Sequence, residues 1–158
     1  MSYLQLIGVL DAAGVEFVIV GGTAAVLHGA STATYDLDVL MQFTPENCAR
    51  LLEAVRPLDP RLAHTPDKRP LALTVEELAP FKNLYLNTRL GRLDVLGSLP
   101  PIESAEEVLR TAQQMVVAGV NVRVVALDLL IKVKAAMNRP KDKQTEIELR
   151  AVAAARKR

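Results

Sequence analysis

Val18-Ile19-Val20-Gly21-Gly22-Thr23-Ala24-Ala25-Val26-Leu27-His28-Gly29, running on through Ala30 to Thr34 into Tyr35-Asp36-Leu37-Asp38-Val39-Leu40, is the stretch that decides the fold. It reads as strand, glycine turn, short helix and second strand. Glu16 to Val20 runs into apolar, β-branched residues, which suits a buried strand. Gly21-Gly22 lets the backbone turn tightly and come close to a ligand, since neither residue carries a Cβ. Thr23 to Leu27 begins a helix, whose free N–H groups and dipole favour phosphate. Asp36 and Asp38 stand two apart on the second strand, so both side chains leave one face. Two carboxylates on one face repel unless a cation lies between them. A hard divalent ion, Mg²⁺ first, is the natural occupant.

Working outward, Tyr3 to Ala13 reads as an amphipathic helix closed by Gly14. His28-Gly29 closes the second helix, and His28 reads there as structural or exposed. Thr44 serves as N-cap and Pro45 as first-turn residue for a helix over 46–55, with Cys48, Leu51, Leu52 and Val55 on one side. Residues 56–80 contain five prolines (57, 60, 66, 70, 80), which predicts a mobile loop with one short helix near Val75 to Leu78. Phe81 to Asn87 and Arg92 to Leu96 form a hairpin turning near Leu90-Gly91. Asp94 lies inside that second, otherwise apolar strand and must be satisfied, because an unpaired buried charge is costly. It is either paired with Arg92 or Arg89, or set beside Asp36 and Asp38 on the next antiparallel strand. A helix over 103–112, a hairpin over 114–125 and C-terminal helices over about 127–156 complete a single domain of residues 1–158.

At 158 residues the chain has room for one core, burying roughly 70% of its unfolded surface. Half of it is hydrophobic but only six residues are aromatic, so the core is aliphatic. No apolar run reaches the ~18–20 residues that cross a membrane, and Met1-Ser2-Tyr3-Leu4 lacks a signal peptide's basic segment. The single cysteine, Cys48, excludes an internal disulfide and reads as a small buried hydrophobe. The expectation is a cytoplasmic protein with no membrane partner. Net charge is +1 but uneven: residues 1–55 hold six acids and one base, and residues 132–158 hold nine bases and three acids. An acidic, metal-collecting half beside a basic one suits a polyanionic substrate. So few aromatics argue against a stacking platform for single strands, so an RNA would be gripped through its phosphates.

A Gly-Gly turn with Asp-x-Asp following on a strand resembles the signature of the nucleotidyltransferase superfamily, whose fold is that of DNA polymerase β. The nearer likeness is to small bacterial nucleotidyltransferase-like proteins, including toxin–antitoxin members of the abortive-infection and minimal-nucleotidyltransferase types. Leu129-Leu130-Ile131-Lys132 to Asn138-Arg139-Pro140-Lys141-Asp142 also looks like that group's closing segment. The resemblance implies an α+β fold, a small mixed or antiparallel sheet with helices mainly on one face. It implies Asp36, Asp38 and Asp94 as catalytic metal ligands for Mg²⁺, with Mn²⁺ as substitute. It also implies Gly21, Gly22, Thr23 and Lys132 as nucleotide-binding residues. The implied reaction moves NMP from an NTP to a hydroxyl of tRNA, protein or a small molecule. Two departures stand out. Gly-Gly-Thr replaces the relatives' Gly-Ser, and Ala30-Ser31-Thr32-Ala33-Thr34 lacks their arginine. The alternative they raise is a fold-retaining binding protein that serves as a toxin–antitoxin partner.

Overall fold

A computed structural model describes residues 2–157. In chain order the elements are α1 (Ser2–Ala12), β1 (Val18–Val20), α2 (Gly21–His28), β2 (Leu37–Leu40) and α3 (Pro45–Val55). A 3₁₀ turn at Arg56–Leu58 precedes β3 (Arg61–Leu62), α4 (Val75–Leu78), β4 (Asn83–Thr88) and β5 (Gly91–Leu96). The chain continues through α5 (Ala105–Thr111), β6 (Gln113–Val117), β7 (Val120–Val124), α6 (Leu127–Ala136) and α7 (Pro140–Arg156). The strands form one mixed sheet in the order β3-β4-β5-β2-β1-β7-β6. No described helix is long and apolar enough to cross a membrane.

Burial divides this sheet into two halves. All three residues of β1 are buried, so the sheet is covered on both faces there. α2 packs on β1 and β2 and also touches α6 and α7, while α1 reaches β5 and β7 and packs on α3. In β4 and β5 burial alternates instead: Leu84, Leu86, Leu93 and Val95 are buried, and the residues between them are half-exposed. Alternation of this kind leaves one face of a sheet to water.

Local chemistry sets the element ends. Thr44 Oγ1 accepts from Asn47 N at 3.2 Å and Pro45 fills the first turn of α3, as expected. Asn47 also ties α3 to the segments that lead into β1 and out of β2. Its Oδ1 accepts from Glu16 N at 2.9 Å, and its Nδ2 donates to Glu16 O at 2.9 Å and Gln42 O at 3.2 Å. Gly29 ends α2 at φ +116°, a left-handed position that glycine takes without strain.

The 56–80 segment carries more structure than its prolines predict. Beyond the expected helix, here α4 with a Thr74–Glu77 capping box, β3 adds a strand to the sheet edge. The backbone returns beside it, with Leu62 N donating to Arg69 O at 2.8 Å and Ala63 N to Tyr85 O at 3.0 Å. Pro60, Pro66 and Pro70 fall where no ladder hydrogen bond needs their missing N–H.

Candidate active site

β1 delivers the chain to the site, and the register of three strands builds it. Val20 pairs with Asp38 across the antiparallel β1–β2 ladder, and Asp38 pairs with Asp94 across β2–β5. The second pairing is parallel, which corrects the antiparallel arrangement expected from sequence. The adjacency of the two acids survives the correction, because aligned residues in a parallel pair also share a face. Asp36 sits one residue before β2 and lines the same cleft, of about 680 Å³.

The glycine turn is also the first turn of α2, so the helix begins two residues earlier than the sequence predicts. Gly21 has φ +66°, and a Cβ placed there would overlap the Asp38 carboxylate, its Cβ and Cγ both lying 2.9 Å away. Only glycine lets the acid lie over the backbone here. A Cβ on Gly22 would come within 3.1 Å of Thr34 Oγ1. No side chain caps α2 and no acid stands in its first turn, so its leading amides are not claimed by a cap.

Thr23 does not present its hydroxyl to the cleft. The residue is fully buried, and Oγ1 donates to Asp36 O at 3.0 Å, fixing the backbone ahead of β2. The hydroxyl beside the glycines belongs to Thr34, which lines the cleft with Thr32. Lys132 is also placed elsewhere. It is exposed and lines a separate groove with Glu103, Glu107 and Arg150.

Lys134 takes the place in the cleft that sequence reading gave to Lys132. It is 7% exposed, and its Nζ meets Asp142 Oδ1 at 3.3 Å. Arg139 closes on the same carboxylate, Nε to Oδ2 at 2.6 Å and Nη2 to Oδ1 at 3.1 Å. Lys141 completes this basic wall. The periodicity of α6 holds the signal that was missed: Leu127, Leu130 and Lys134 follow at spacings of three and four, and all three are buried. Lys132 lies off that stripe.

The two walls are electrically different. Asp38 is pushed from an ordinary 3.8 to about 6, first by burial, then by the Asp94 and Asp36 carboxylates, with Lys134 opposing. Asp142 is held below the usual carboxylate range: burial works against its ionisation, but the Arg139 and Lys134 hydrogen bonds and charges outweigh it. Asp94 accepts from Arg92 Nε at 2.8 Å, so the expected arginine pairing is present while the acid also stands in register with Asp38, on a parallel strand. His28 is structural: Nε2 bonds Val125 O at 2.7 Å, and burial foremost lowers its pKa. Cys48 is a buried free thiol.

Asp36, Asp38 and Asp94 are hard oxygen donors, and the pKa of Asp38, raised by burial and then by its two carboxylate neighbours, marks a site whose negative charge a divalent cation would relieve. The donor set therefore fits such an ion. As the side chains stand, no three His, Cys, Asp or Glu residues among those described converge on one point. Asp94, with Oδ1 held by Arg92, has to share its carboxylate.

Comparison with solved structures finds the fold of nucleotidyltransferases over almost the whole chain. The solution structure of the antibiotic-resistance factor ANT(2'')-Ia matches at 17% identity, 97% of this chain, 83% of that chain and TM-score 0.61. The crystal structure of ANT(2'')-Ia in complex with adenylyl-2''-tobramycin gives 17%, 98%, 97% and 0.58. A nucleotidyltransferase-type protein of Thermotoga maritima gives 14%, 98%, 89% and 0.51. At these identities the likeness is one of fold. No family model matches the chain, and no curated protein matches it in sequence.

Proposed function

We propose that the protein is a metal-dependent nucleotidyltransferase that moves NMP from an NTP to an acceptor hydroxyl. The observation that carries this reading is the register Val20–Asp38–Asp94, which sets two carboxylates side by side at the glycine turn. In this reading the leading amides of α2 at Gly21 and Gly22 bind the β- and γ-phosphates, with Thr34 beside them. Lys134, Arg139 and Lys141 face the triphosphate from the opposite wall. Asp142 is a positioning residue that keeps the first two of these cations in place.

Asp36, Asp38 and Asp94 would hold Mg²⁺ or Mn²⁺, which when bound would neutralise charge at the phosphate oxygens and acidify the acceptor hydroxyl. Asp94 takes the proton as the acceptor oxygen forms its bond to the α-phosphorus. The bond from that phosphorus to the bridging oxygen breaks, and pyrophosphate leaves in line. The basic wall stabilises the charge that collects on it.

The test is calorimetry of the four NTPs with and without Mg²⁺, with Asp36→Asn/Asp38→Asn as control. Binding that needs both metal and acids supports the reading. A folded protein that binds none of them removes it. A second reading, a fold-retaining partner protein of toxin–antitoxin type, draws on the Arg92–Asp94 ion pair, which already neutralises the third carboxylate. It predicts no NTP binding and a stable complex with a co-encoded protein.

A further inference from the structure

The open face of the sheet does not stop at the carboxylates. From the glycine turn outward it carries, in register, Asp38 on β2, Asp94 on β5 and Tyr85 on β4. Asn83, Asn87 and Arg92 lie on the same face, all half-exposed above the buried leucines of the hairpin. At the sheet edge His64 stacks on Tyr85, with ring centroids 4.5 Å apart and planes 26° apart. Arg92 joins the pieces: Nε holds Asp94 at 2.8 Å, Nη2 meets His64 Nε2 at 2.9 Å, and its guanidinium carbon is 5.9 Å from the Tyr85 ring centre. Arginine can only donate, so His64 Nε2 accepts and the ring proton sits on Nδ1. Nη1 takes part in neither contact.

We propose that Arg92, Tyr85 and His64, next to the cleft through the Arg92–Asp94 contact, form the acceptor subsite, and that it receives an acceptor carrying a phosphate close to the reacting hydroxyl. The proposal rests on the nucleotidyl-transfer reading. In-line displacement requires the acceptor to arrive opposite the departing pyrophosphate. With the triphosphate at the glycine turn, that side is the β4–β5 face. Charge decides the class of molecule. Arg92 is the cation of the β4–β5 part of this face, and the acid beside it, Asp94, is already engaged, while Asp36 and Asp38 lie at the glycine turn, where the proposed reading puts the metal. The acids of the flanking loop, Asp59 and Asp67, are paired with Arg61 at 3.4 Å and Arg69 at 3.0 Å. An ammonium-rich acceptor would meet a guanidinium that already holds the neighbouring carboxylate, Asp94. A phosphate would find the unused part of a planar fork suited to its oxygens, and the stacked rings give a flat surface for the attached sugar or base.

The full-length protein is titrated with ribose 5-phosphate, a 5′-phosphorylated RNA trinucleotide and tobramycin, by calorimetry and saturation-transfer NMR, without nucleotide and with saturating Mg²⁺–NTP. The expected result is binding of a phosphate-bearing probe, the trinucleotide arm separating an RNA end from a free sugar phosphate. Arg92→Gln should weaken that probe roughly tenfold or more, Arg92→Lys should recover part of the loss, and Tyr85→Leu should weaken it less. Circular dichroism checks that each variant folds. The inference is overturned if tobramycin binds more tightly than both phosphate probes, if neither phosphate probe binds, or if Arg92→Gln changes their affinity less than twofold. Phosphate-probe binding through Arg92 without any NTP binding would keep the subsite and remove the nucleotidyl-transfer reading.

Discussion

Asp38 and Asp142 face one cleft from opposite walls, both drawn out of bulk water, and their acidities are shifted in opposite directions. Asp142 is 1% exposed but has two cations within hydrogen-bonding distance, and it stays ionised. Asp38 has two carboxylates for neighbours and holds its proton up to about 6. Burial is common to both, so the difference comes from the partners. A buried charge with its counter-charges is part of the scaffold. A carboxylate crowded by its own kind stores strain that a bound cation would release.

Substitution at Asp142 should give the largest effect. Asp142→Ala leaves Lys134 buried without its partner and should cost about 3–5 kcal/mol in urea unfolding. Asp38→Asn should act in the other direction, stabilising the metal-free protein at pH 7.5 by about 2 kcal/mol after allowance for solvent screening at a partly exposed group. The sign follows from linkage. The folded pKa lies above the unfolded one, so the favourable contribution is complete below pH 3.8 and fades as pH rises to about 6. Wild-type unfolding measured from pH 4 to 7 should therefore show a decline that Asp38→Asn lacks, and Mg²⁺ at pH 7.5 should restore stability to the wild type alone. Equal pH profiles in the two proteins would break the comparison.

Gly21→Ala should come next. The left-handed backbone costs an alanine about 1–2 kcal/mol, and its methyl displaces the Asp38 carboxylate. Thermal unfolding measures the first effect and loss of Mg²⁺-dependent NTP binding the second. The smallest change is expected at Lys132, where Lys132→Ala should stay within about 0.5 kcal/mol and leave NTP affinity unaltered. Lys134→Met, two residues on, should weaken NTP binding in the same calorimetric titration.

What the sequence made legible follows from the range of each interaction. The glycine turn, the Asp-x-Asp pair, the Thr44 cap and the β4–β5 hairpin rest on residues close in the chain, and each was readable there. So was the nucleotidyltransferase fold, through the spacing of Gly21 and Asp38. The parallel direction of β2–β5 was not, because pairing partners 56 positions apart leave no local trace. Nor was the inward turn of Thr23, whose hydroxyl is claimed by a carbonyl 13 residues away. Lys134 was legible in principle, since the apolar stripe of α6 runs through it. β3 was hidden because a two-residue strand among prolines lacks periodicity.

The parallel pairing of β2 and β5 also says when the site is made. Asp36 and Asp38 can occupy a hairpin-like β1–α2–β2 unit early, since their contacts are short in sequence. Asp94 joins them only after the whole crossover through α3, β3, α4 and β4 has been laid down, and closing so long a loop is slow. A chain caught midway holds a pair of acids with neither the third carboxylate nor Arg92 beside it. Completion of the three-acid cluster would thus come later than the pairing of β1 with β2.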